Sequence, residues 1–172
     1  MHSKEELEVK AEAANVVLTA VALAALETME SSIPAFQNLD KKLRDDIAFI
    51  LCYVALFHAG VTYWNDIIQN EDVSKLFSDL LYKHFETRMK LDARPFIKDY
   101  IDYAKKIGDG GYIQYVGWKI APKVAGQDVW LGLTVSTIYF DHLTSLLKKS
   151  LKKVWENSIE DNQDIVQSET AA

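Results

Sequence analysis

The chain has 172 residues, 49% apolar and 26% charged, with seven Gly and three Pro; it is sized for one domain with a real core and is not composed like a disordered protein. Net charge is −6, but five acids and no Lys or Arg fall between Glu156 and Ala172, so the remainder carries only −1 and lacks the basic face that a nucleic-acid partner requires. A single cysteine, Cys52, excludes an intramolecular disulfide and a cysteine-based zinc cluster.

The opening MHSKEELEVK is charged where a secretory signal turns apolar, so the expected location is intracellular, in the cytoplasm. Ser3 and Glu6 have capping-box spacing, and a first helix is predicted from there to about Ser31, apolar nearly all round between Ala13 and Leu26. Pro34 stops it. Asp40 or Asn38 caps a second helix whose apolar positions (Leu43, Ile47, Ile50, Leu51, Val54, Phe57, His58, Val61, Trp64, Ile68) step by three and four. Within it, the nineteen positions from Ile47 to Asn65 carry no charge, which predicts the central helix of the fold.

Asn70, Glu71 and Asp72 open a third helix with the stripe Val73, Leu76, Phe77, Leu80, Leu81, His84, Phe85. Pro95 suits the first turn of a fourth, which the Gly108-Asp109-Gly110-Gly111 loop ends. That loop follows a helix and lacks a Lys-Ser/Thr pair, so it reads as a helix stop and not a phosphate cradle. Tyr112 to Ala121 fits a short helix or an aromatic strand, closed by Pro122 and Gly126. Asp128 caps a last long helix running to Trp155, with Lys148, Lys149, Lys152 and Lys153 near its C-terminal end.

These elements predict an all-α bundle of five or six helices, with an up-and-down core of long helices, as one domain over residues 1–156. Residues 157–172 are expected to be a disordered acidic tail. A membrane span needs about 20 apolar residues. The uncharged run approaches that length, but it contains His58, Thr62 and Asn65 and the other apolar stretches are shorter, so membrane association is not expected.

Three histidines, His58, His84 and His142, fall on apolar stripes of three helices and are the candidate ligand-binding residues. If the second and third helices form an antiparallel hairpin about Asn70, His58 and His84 lie within about one turn of each other, where two imidazoles suit haem or another flat apolar ligand. The positions three before the histidines are Ala55, Leu81 and Tyr139, which excludes the Glu-x-x-His pairs of a di-iron bundle. No metal site and no catalytic residue are predicted. The order Pro34, Phe36, His58 and, twenty-six residues later, His84 loosely resembles a globin over residues 30–100; that resemblance implies a haem pocket between the two histidines.

Tyr112, Tyr115, Trp118 and Trp130 place large amphipathic rings around a breaker-flanked stretch, a composition enriched at interfaces. Without a nucleophile, acid-base pair or nucleotide motif, the expected role is a non-enzymatic one, through self-assembly or contact with another protein.

Overall fold

The computed structural model describes residues 3–60, 64–108, 111–126 and 128–170, and among these the chain is helical with no strand. Helix α1 spans Lys4–Ser32; Ser3 Oγ accepts from the Glu6 amide at 3.1 Å, the cap its spacing predicts. After a 3₁₀ turn at Pro34–Phe36 comes α2, Lys41–His58, capped by Asp40, whose carboxylate accepts from the Leu43 amide at 2.8 Å. A four-residue helical turn, Trp64–Ile67, leads to α3, Glu71–Met89, capped by Asn70. Then follow α4, Arg94–Ile107, and α5, Gly111–Ala125. Helix α6 occupies residues 129–156 as Val129–Asp141, a π turn at His142–Leu147, and Lys148–Glu156. Helix α7 is Ile159–Thr170. Seven helices among the described residues replace the predicted five or six.

The organising element is α1, not the uncharged run in α2. Ala11, Ala13, Ala14, Ala22 and Ala25 are fully buried, and α2, α3, α6 and α7 all pack on this one helix. Small side chains let four neighbours approach one axis closely. By length and composition α1 is the one helix among the described residues long and apolar enough to cross a membrane, and 56% of its most apolar window is buried inside the fold.

The α-helical part of the second helix ends at His58, short of the predicted Ile68, and residues 59–60 follow as a π turn, where the Gly60 carbonyl accepts from Ser78 Oγ at 2.7 Å. Gly60 itself is pressed against the Tyr82 ring, where an added β-carbon would sit 2.7 Å from a ring atom. Val61, Thr62, Asp109 and Gly110, also named in the sequence reading, lie outside the described residues. In α3, Leu76 of the predicted stripe is exposed while Phe77, Leu80, Leu81 and Phe85 are buried.

Tyr112 to Ala121 is helical, which removes the strand alternative, and Pro122 is accommodated inside the last turns of α5 before Gly126 (φ 73°) ends it. Helices α5 and α6 pack backbone against backbone. A β-carbon at Gly117 would overlap the Gly132 carbonyl oxygen and Ser136 Oγ, and Ser136 Oγ accepts from the Gly117 amide at 3.1 Å. Along α6 the buried positions recur every four residues: Leu131, Val135, Tyr139, Leu143, Leu147, Leu151. An ideal helix carries such a row about 40° round at each step, and the wider π turn takes up that drift so that the row stays in the core.

Two long-range contacts close the fold. Lys10, 1% exposed, donates from Nζ to the Trp155 and Asn157 carbonyls at 2.7 and 2.6 Å, placing an ammonium at the C-terminal pole of α6. Burial lowers its pKa, and Glu6, 3.7 Å away, offsets part of that shift. The supposed disordered tail is the second. Ser158 and Asp161 cap α7 reciprocally, Ser158 Oγ accepting from the Asp161 amide (3.2 Å) and Asp161 Oδ2 from the Ser158 hydroxyl (2.8 Å). Asn162, fully buried, donates from Nδ2 to the Val154 carbonyl at 3.0 Å, and Ile165 and Val166 pack on the core. The acids at 160 and 161 sit in the first turn, where the helix dipole favours them.

Candidate functional site

His58, the last residue of α2, faces α4 and α5. Its Nε2 lies 2.6 Å from the Tyr100 hydroxyl, which is also 3.0 Å from the Tyr112 carbonyl, so the phenol bridges the imidazole and the backbone of α5. Phe57, Tyr100 and Tyr112 surround the ring at centroid distances of 5.5, 5.8 and 6.0 Å. Burial pushes its pKa down from 6.5 to about 4, so the ring is neutral above that pH.

His84 lies on the other side of α3. With Val16 of α1 and Val166 of α7 it borders a cavity of about 310 Å³, and its buried Nε2 has no hydrogen-bond partner among the described residues. His142 opens the π turn of α6 and its Nε2 lies 3.2 Å from Thr28 Oγ1 of α1, a hydroxyl that is also 2.9 Å from the Ala24 carbonyl.

Gly60 meets Ser78 and Tyr82 of α3, but His58 itself lies against Tyr100 and Tyr112 of α4 and α5, while His84 borders the cavity between α1 and α7. The three histidines therefore serve three separate places, and the two-histidine pocket implied by the globin resemblance does not form. Among the described residues no group of three or more His, Cys, Asp or Glu is placed to hold a metal ion. Cys52 is buried, and desolvation pushes its thiol up to about 12.

The four aromatic candidates divide. Tyr115 is buried and its hydroxyl donates to Asp99 at 2.8 Å; burial first, and then that bond, raises the phenol's pKa. Lys119 completes the tie, 2.7 Å from Asp99 and 5.4 Å over the Tyr115 ring. Tyr115 thus joins α5 to α4 and is not an interface residue. Trp118 is half-buried beside Gly132. Tyr112 is partly exposed, its ring stacked 5.6 Å from Phe57. Trp130 is 79% exposed at the start of α6.

Trp130 belongs to a larger feature. Along the outer face of α6, Trp130, Leu133, Thr137, Phe140 and Thr144 are exposed at intervals of three and four, and no charged residue falls between Val129 and Phe140. No family model, curated protein or solved structure matches the chain. The chemistry of this face must therefore be read from its own atoms. Thr134, Thr137 and Thr144 donate their hydroxyls back to the Trp130, Leu133 and Phe140 carbonyls at 2.8–2.9 Å, so the polar groups between the rings are satisfied within the helix. What remains for a partner is apolar. Leu133 and Phe140 are the functional candidates that sequence reading missed; their signal was the same three-four spacing on the face opposite the buried row.

Proposed function

We propose that the protein is a non-enzymatic assembly module that associates with a second copy of itself through the outer face of α6. The observation that carries the reading is the exposed, uncharged stripe of Trp130, Leu133 and Phe140 with its self-satisfied threonines. A spacing of three and four is the seam of paired helices. Antiparallel pairing about Thr137 sets Trp130 over Thr144 and brings Leu133 within one residue of the level of Phe140, so the one patch meets itself apolar to apolar as a two-fold interface requires. The charge distribution supports the same occupant. Two copies of a chain of net charge −6 repel generally, and a face without charge is where that repulsion is least, whereas it offers nothing to select a basic or acidic partner.

Light scattering across a concentration series tests the reading. A dimer is expected for the native chain, and Leu133→Glu, which places a carboxylate in the seam of both copies, should return a monomer. A native chain that stays monomeric at the highest concentrations reached would remove the proposal.

A further inference from the structure

A groove of about 400 Å³ runs between α3 and α4, and its chemistry runs against the acidic character of the chain. Ile97 and Ile101, one turn apart and half-buried, give it apolar surface together with Tyr82 of α3. Arg94, Lys98 and Lys105 border it, against a single acid, Asp102. The other acids nearby are engaged elsewhere: Asp92 holds Arg94 at 2.8 Å, Asp99 lies 2.7 Å from Lys119 on the α5 side, and Glu86 accepts from the Ala93 amide at 3.1 Å. Lys98 and Lys105 have no ion pair among the described residues. Lys98 precedes Asp102 by four residues, the weaker order for a pair within one helix. With Arg94 neutralised by Asp92, the two lysines and Asp102 leave one positive charge over.

We infer that this groove binds a medium-chain fatty carboxylate, its tail along Ile97, Ile101 and Tyr82 and its headgroup met by Lys98 or Lys105. Exposed lysines suit that role, because their four-carbon stems extend the apolar edge while the ammonium swings to meet an anion. One net positive charge matches a monoanion. An alkylammonium is repelled, and a headgroup without a tail makes only a solvent-exposed ion pair of little worth. Along the helix the groove reaches from Arg94 to Lys105, about 16 Å at 1.5 Å per residue, which accommodates an extended chain. The site is independent of the self-association reading, since none of its residues lies on α6.

The test titrates the full chain with sodium octanoate, sodium acetate and octylammonium chloride, the two amphiphiles below micellar concentration, following backbone amide resonances. Octanoate should give saturable shifts near residue 82 and along residues 94–105. Octylammonium should bind at least about fivefold more weakly, and acetate should not bind measurably. Asp102→Asn, which removes the opposing carboxylate, should tighten octanoate by about twofold, and Lys98→Gln combined with Lys105→Gln should weaken it by about fivefold. All three positions are exposed, so the fold is kept. The inference is overturned if octanoate gives no saturable shift, if either other probe binds as tightly, or if binding ignores both variants. Saturable shifts centred on Trp130, Leu133 and Phe140 would equally overturn it, because the tail would then have chosen the exposed face of α6.

Discussion

Helices α1 and α6 each contain a stretch that is apolar all round, yet the fold treats them oppositely. Ala13 to Leu26 of α1 packs against four helices, and its small residues make that approach possible. Val129 to Phe140 of α6 is covered on one side only, and its open side carries Trp130, Leu133 and Phe140. Small residues admit neighbours from within the same chain; large exposed ones on a regular spacing leave area to bury elsewhere. The contrast separates a core helix from one whose apolar surface exceeds what its own chain covers.

The comparison breaks most readily at the hairpin that holds α6 in place. Gly117→Ala drives a β-carbon into the Gly132 backbone, and a loss of about 4 kcal/mol, or roughly 10 °C in Tm, is expected in thermal unfolding. The next effect is a pH dependence. His58 has its pKa lowered from 6.5 to about 4, so between these values the unfolded chain takes up a proton that the native chain does not. Stability should fall as pH drops through that window, by about 3 kcal/mol in all, and level off below it. Denaturant midpoints of the native chain and His58→Gln check this; the variant should show a shallower slope.

Smaller again is the loss of α7. Deleting residues 158–172 removes the Asn162 bond and the packing of Ile165 and Val166 on α1, at a cost of about 2 kcal/mol. An unchanged melting temperature would return the segment to the status of an undocked tail. Smallest is Trp130→Glu, which should shift the stability of the isolated monomer by less than about 0.5 kcal/mol, because the ring touches little of its own chain. A large shift would make Trp130 a core residue and not an interface residue.

What the sequence made legible was local. Ser3, Asp40, Asn70 and Asp128 each cap the helix their spacing announced, because a cap involves residues three apart. Relations between distant segments were not legible. The contacts of Gly60 with Ser78 and Tyr82 join segments well apart in sequence, and the helix α7 was hidden by its acidic composition although Ser158 and Asp161 carry a capping signal. Lys10 gave no sign of burial, since its partners are carbonyls some 145 residues away. Of the candidate site, the apolar stripes carrying His58 and His84 were readable, but not the distant residues each meets, Tyr100 and Tyr112 for His58 and Val16 and Val166 for His84.

The self-association account is tested most directly by a cysteine at its two-fold axis. Cys52 is buried with a thiol held near 12, so Thr137→Cys supplies the one reactive thiol. Under mild oxidation this variant should form a disulfide-linked dimer rapidly, while Lys41→Cys, exposed on α2, should remain monomeric. Equal and slow cross-linking of the two variants would contradict the account.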